Sequence, residues 1–415
     1  MKHDESLRSL GATMLAIVMA ALVVVSGVWA QGQPSLAVGP WVQLAQITAS
    51  DGMIGNEFGY SVAISGDTAV VGAPMYGVSD VAYVFVKPPS GWVNATETAK
   101  LTPSDGENND GFGTAVAISD NTIVVGSYSR SAYVFVKPST GWTDMTETAI
   151  LNRPGDSSQY FGSSVAIDGN TVVVGDYGVS QFEGAAYVYL KPAGGWINTS
   201  ETAELTASDA AAGAYLGVSV AVSGNTIVLG APEATVGKVK LLGAAYVFVN
   251  PSGGWINMTQ TAKLTSGGYR ETYAELGLSV AIDGNTVVAG KPFWEKGEAC
   301  VFVEPVSGWS NMTEAARLRY PHGLHSHLGT SVAISGNTVV AGAPLGITRG
   351  VAYVFIKPPG GWKTTSKIRA TLAGVPGAKH DQLGYSVSVH GRTAVAGGPG
   401  TYPYTSPGLA YIFGH

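Results

Sequence analysis

The sequence predicts an all-β chain folded as a seven-bladed β-propeller of four-stranded antiparallel blades. Three observations predict it: one repeat recurs seven times, each copy holds short β-rich runs, and a stray strand near the N-terminal end matches what the last copy lacks. The clearest copy reads Phe161-Gly162-Ser163-Ser164-Val165-Ala166-Ile167-Asp168-Gly169-Asn170-Thr171-Val172-Val173-Val174-Gly175, then a variable loop, then Ala186-Tyr187-Val188-Tyr189-Leu190-Lys191-Pro192 and Gly195-Trp196. The glycine opening each copy falls at Gly59, Gly113, Gly162, Gly217, Gly277, Gly329 and Gly384, 49 to 60 residues apart, a period that suits propeller blades.

In the first copy, strands are predicted over 61–64, 68–72, 82–87 and 97–102. Gly66-Asp67 separates the first two, as Gly224-Asn225 and Gly336-Asn337 do in later copies; glycine there supplies the positive φ of a two-residue type II′ hairpin. Asp120-Asn121 and Gly391-Arg392 are variants of the same turn. A helical repeat is excluded by the β-branched and aromatic runs Val-Val-Gly-Ala-Pro and Tyr-Val-Phe-Val, broken by Gly and Pro. The last copy stops after its third strand, 409–413, whereas 41–52 resembles the fourth-strand stretch that begins at Thr98. Residues 41–48 are therefore expected to complete the last blade and hide the two edges that an open ring would leave.

Composition agrees with this class: 45% hydrophobic residues, 13% charged and 56 glycines suit short apolar strands joined by tight turns. A net charge of -6, with 23 Lys and Arg residues that form no run, argues against a nucleic-acid partner. Lys2 and Arg8 near an apolar stretch from Ala12 to Val25, followed by Val28-Trp29-Ala30, read as a signal peptide over 1–30, with an uncleaved anchor as the alternative. A linker over 31–40 and the propeller over 41–415 follow, with no further membrane span. The expected location is secreted, extracellular or at the cell surface, or the periplasm in a Gram-negative host, and the expected state is a monomer. Cys300 is the sole cysteine, so packing rather than disulfides must stabilise the chain; it stands where other copies carry Tyr83, Tyr187 and Tyr246, and reads as a core thiol.

With its Phe-Gly-x-Ser-Val-Ala-Ile and Val-Val-Gly-Ala-Pro text, the chain resembles the FG-GAP repeat family over residues 41 to 415, in the short-turned, tryptophan-containing secreted variety. That family includes the propeller of integrin α subunits, and the resemblance implies adhesion or protein binding outside the cell. Integrin repeats hold calcium in an acidic Asp-x-Asp-x-Asp-Gly loop between the first two strands. Here that connection is two residues long, too short to wrap a cation that takes six to eight oxygens, so no integrin-type calcium and no cofactor are expected.

An antiparallel meander sorts the loops between two ends. One end repeats Gly-Asn-Thr and Lys-Pro-x-Gly-Gly-Trp, which is turn chemistry; the other differs in every copy and is the expected recognition face. Its candidate binding residues are Tyr269, Arg270 and Tyr273, Phe293 and Trp294, Lys238 and Lys240, and Tyr402 and Tyr404, aromatics set beside charges. His322, His325 and His327 form a local cluster with metal-ligand character but without a Cys or acidic companion in the loop, so no metal is expected. The 105–111 loop has oxygen donors spaced somewhat like a calcium loop, with its glycine displaced, and reads as a solvated turn. Trp92, Trp142, Trp196, Trp255, Trp309 and Trp362 recur at one position and read as structural plugs, with a sugar-binding ring as the alternative. Asn94, Asn198, Asn257 and Asn311 fit the N-glycosylation sequon just after that tryptophan, a clustering that copying of the repeat explains. No nucleophile elbow, zinc-protease motif or phosphate loop is present. The expected function is non-catalytic binding of an extracellular protein, with glycan binding and an enzyme site on the propeller axis as alternatives.

Overall fold

The computed structural model describes residues 39–74, 81–105, 111–128, 131–152, 160–267, 273–293, 296–320, 326–345, 350–374, 382–400 and 406–415. The signal peptide expected over 1–30 and most of the linker lie outside the described residues. From Trp41 to Gly414 the chain forms one unit, whose seven sheets follow the seven repeats. The first blade runs Ser61–Ser65, Thr68–Ala73, Val81–Val86 and Ala99–Leu101, each strand antiparallel to the one before. The last blade has Ser386–His390, Thr393–Gly398 and Leu409–Gly414, and its fourth strand is Val42–Thr48, paired antiparallel with Gln43 opposite Phe413 and Ile47 opposite Ala410. The expected N-terminal closure is thus present. Ser65 pairs with Thr68 across Gly66, whose φ of 54° is the conformation the hairpin needs. Among the described residues no helix is long and apolar enough to cross a membrane.

Packing runs between blades. Ala45 and Ile47 of the N-terminal strand share one cluster with Val62, Val71 and Tyr83 of the first blade, sealed by Trp92. The repeated tryptophans are all buried at such seams, which bears out the plug reading and removes the sugar ring. Cys300 is wholly buried opposite Arg317, as Tyr83 lies opposite Lys100, and burial pushes its thiol pKa far up.

The fourth strand is shorter than the expected 97–102, because the residues before it are diverted. After the plug tryptophan, the connection from third to fourth strand hooks back onto the outer edge of the preceding blade. Ala95–Thr96 lies parallel to Ile47 and Thr48, Met258–Thr259 to Leu205 and Thr206, and Met312–Thr313 to Leu264 and Thr265. Met145, Thr199 and Thr365 make the equivalent single bridges. At the head of each hook a short polar side chain accepts an outward backbone N–H of the edge: Asn94 from Gln46, Asp144 from Lys100, Asn198 from Ile150, Asn257 from Glu204 and Asn311 from Lys263, all at 2.8 Å, and Thr364 from Arg317 at 3.1 Å. The four sequon asparagines therefore hold neighbouring blades together, at a position that Asp and Thr fill elsewhere.

The fifth blade holds a buried ion pair. Lys291 Nζ lies 2.7 Å from Glu298 Oε1, Arg319 Nε donates to Glu298 Oε2 at 2.8 Å, and Arg317 approaches at 3.4 Å. Burial alone would raise the Glu298 carboxyl, but Lys291 and the two arginines hold it below its ordinary value. Its stabilising contribution is therefore present above the unfolded carboxylate pKa and lost as pH falls through the lower folded one. Lys291→Met is expected to cost about 3 kcal/mol in chemical denaturation, near the lower end for breaking a buried pair because the arginines still face Glu298.

Candidate functional site

Residues from all seven blades converge on a cavity of about 420 Å³ at the end of the axis that carries the variable loops. Its floor comes from a single register position. The residue after each opening glycine, Tyr60, Thr114, Ser163, Val218, Leu278, Thr330 and Tyr385, faces the cavity in every blade. A second position, just after the second strand, contributes Tyr128, Tyr177 and Pro232, and Glu233 follows. A third, two residues before the opening glycine, contributes Tyr215 and Glu275. That third position is held in the left-handed region in Glu57, Tyr215, Glu275, His327 and Gln382, with φ between 53° and 58°. Non-glycine residues seldom adopt this conformation, and such strain gathers where side chains must be aimed.

The tyrosines form a connected wall. Tyr60 and Tyr128 share a hydrogen bond between their hydroxyls at 3.1 Å, and Tyr60 and Tyr385 lie ring to ring at 5.1 Å. Tyr177 stacks on Tyr160 at 4.6 Å, and Phe182 supports Tyr215 at 5.3 Å. Burial and the neighbouring phenols push Tyr60 well above the usual tyrosine range, so its hydroxyl stays neutral. Against it stand two carboxylates, with no basic residue among the described lining residues. Burial first, and then repulsion from Glu233, pushes the Glu275 carboxyl up to about 7.

The opposite mouth is a smaller pocket of about 320 Å³ lined by the repeated hairpin turns, including Asp120, Asp168 and His390. Its chemistry is spent on the fold: Asp168 Oδ2 accepts the N–H of Gly224 in the next blade's turn at 2.6 Å. The larger of the two cavities thus lies at the variable end of the axis.

Of the residues expected to bind, Lys238 and Lys240 are exposed around a small turn in which Val236 bridges Val239, and Tyr273 is exposed with φ 63°. Phe293 is 46% exposed and sets its ring edge-on to His327 at 4.9 Å. None of these four lines the cavity. Tyr269, Arg270, Trp294, Tyr402, Tyr404, His322 and His325 lie outside the described residues. Among the described residues no group of three His, Cys, Asp or Glu side chains could hold a metal. At the 105–111 loop, Asp105 accepts the Tyr133 hydroxyl at 3.0 Å, as Asp51 accepts that of Tyr83 at 2.9 Å. The axial tyrosines and the Glu233–Glu275 pair were not among the expected binding residues. For Tyr60 and Tyr385 the signal was the one varying position between the opening glycine and a first strand that barely changes; Glu233 and Glu275 carried no such signal.

Seven four-stranded blades, closed by a terminal strand around a mouth of blade-specific residues, define a β-propeller of the binding-module class. The FG-GAP repeat profile matches residues 41–85, 95–135, 146–189 and 199–248, and the chain belongs to the FG-GAP repeat family. No curated protein matches it. Among solved structures, the crystal structure of the computationally designed Ika8 protein is similar at 16% identity with a TM-score of 0.50, over 90% of this chain and 99% of that chain. At that identity the likeness speaks for the fold alone.

Proposed function

We propose that the protein is a secreted or cell-surface module that binds a partner protein without catalysis, seating a cationic side chain of the partner in the axial mouth. The observation that carries this is the Glu233–Glu275 pair, two carboxylates in a tyrosine-lined cavity with no basic residue among the described lining residues. A guanidinium or ammonium group entering there relieves the repulsion, meets aromatic faces and replaces water around a partly buried charge. The exposed Lys238, Lys240, Tyr273 and Phe293 would then form the rim of the contact.

A peptide array with arginine or lysine at a central position tests this. The full chain is expected to retain arginine-bearing peptides, and Glu275→Gln to weaken them about tenfold or more, as for loss of a charged hydrogen bond. Affinity should fall between about pH 8 and pH 6, because protonation of Glu275, at about 7, removes the charge that attracts the cation. Stability should run the other way. A carboxyl raised above its unfolded value penalises the folded state increasingly as pH rises from the unfolded to the folded pKa.

Two observations favour other readings at the same site. The tyrosine faces offer an apolar platform for a sugar ring, so retention on a glycan array with no arginine dependence would replace the protein reading. A carboxyl near neutrality is also suited to general-base work, so turnover on a hydrolase panel that disappears in Glu275→Gln would make the protein an enzyme.

A further inference from the structure

Among the described residues, hooks cover the outer edges of six blades and none covers the edge of the sixth. A hook belongs to the connection between third and fourth strands of the following blade, and the seventh blade lacks that connection because Val42–Thr48 supplies its fourth strand. Trp41 still plugs the seam, packed with Ala352 and Leu372, but the chain then runs straight into its strand. Among the described strands the edge Ala370–Leu372 has one neighbour, Val351–Ile356.

Its register identifies what is missing. Thr371 lies opposite Tyr353 as Lys100 lies opposite Tyr83, so its N–H points outward as that of Lys100 does. Lys100 gives that N–H to Asp144, whereas neither Thr371 nor Ala373 makes an outward backbone hydrogen bond to a described residue. Exposure agrees. The first alanine of the fourth strand is at most 1% exposed in the six covered blades, while Ala370 is only partly buried and Thr371 is exposed. An open edge of this kind is a template for strand addition.

We infer that the outer edge of the sixth blade binds an extended acidic segment of a partner protein, of the pattern Asp-x-Thr, which adds as a parallel fifth strand. The edge is continuous with a ring of six hook interfaces, each made by a short extended segment headed by Asn, Asp or Thr, of which Asp144-Met145-Thr146 is the acidic one, and it offers the same donors in the same register. Exposed Arg369 stands where four other blades carry Thr98, Thr148, Thr202 and Thr261, and it adds positive charge two residues from the N–H that the aspartate would accept. The site is separate from the axial mouth.

The probe is a synthetic peptide with the sequence of residues 143–148, Thr-Asp-Met-Thr-Glu-Thr, titrated into the full chain by calorimetry and by amide NMR. Saturable one-to-one binding is expected, with the largest amide shifts at Thr371 and Ala373. Changing the peptide's aspartate to alanine should weaken binding about tenfold, as should Thr371→Pro, which removes the outward N–H at an edge position where proline is tolerated. Arg369→Glu gives a second variant with the backbone intact and should weaken binding similarly. No saturation at millimolar peptide, or equal binding by the alanine peptide, would overturn the proposal. So would a concentration-dependent dimer that Thr371→Pro abolishes, since the occupant would then be a second copy of the chain.

Discussion

A chain that begins at Gly59 is expected to melt about 5 to 10 °C below the full chain, measured by thermal circular dichroism. Removing Val42–Thr48 and the preceding Trp41 takes three buried side chains, Trp41, Ala45 and Ile47, out of two inter-blade clusters. Their burial contributes about 6 kcal/mol, which for a chain of this length corresponds to a shift of that size. The loss also exposes both faces of the break. The outer edge of Leu409–Gly414 loses its partner, and the hook at Asn94 loses the Gln46 N–H it accepts at 2.8 Å. Exposed edges of that kind lead to association, so the shortened chain should also elute early in size exclusion. Equal melting of the two chains would mean that the N-terminal strand does not close the ring.

Gly230→Ala is expected to cost at least about 4 kcal/mol in denaturant titration. Each second-strand glycine faces the opening glycine of the next blade. A Cβ on Gly230 would fall deep inside contact distance of the Gly277 carbonyl oxygen, and one on Gly397 would meet Gly59, closing the series round the ring. The same carbonyls accept the serine of the repeat: Ser219 Oγ donates to Gly277 O and Ser386 Oγ to Gly59 O, both at 2.8 Å. The Phe-Gly-x-Ser text is thus the contact that spaces the blades, and backbone there cannot yield as a flexible side chain would. Gly253→Ala is the control. Nothing lies within 4 Å of a Cβ at Gly253, so that change should be neutral or stabilising by less than about 1 kcal/mol. Equal losses in the two variants would mean that the inter-blade contact is not what Gly230 provides.

The axial mouth was partly legible. Tyr60, Thr114, Ser163, Val218, Leu278, Thr330 and Tyr385 occupy the variable place between an invariant glycine and a strand that barely changes. Variation at one place inside repeated text marks a position whose contacts differ from blade to blade. Long loops with aromatics, such as those holding Tyr273 and Phe293, drew attention instead, because loop length and composition are local and the axis is not. Glu233 and Glu275 come from different repeats, so neither shows in isolation that it faces another carboxylate.

Periodicity by itself determined the blade number, the hairpin turns, the terminal closure and the buried tryptophans, because each follows from a short stretch whose meaning the other copies repeat. Only the tertiary structure decided what non-equivalent blades make together. The hooks escaped because their partners are edge strands of another repeat, and Asn-x-Thr reads locally as a sequon before it reads as a backbone clamp. The edge at Ala370–Leu372, bare among the described residues, is likewise invisible in its own text. It exists because a ring closed by a strand from the other end of the chain provides one hook fewer than it has edges.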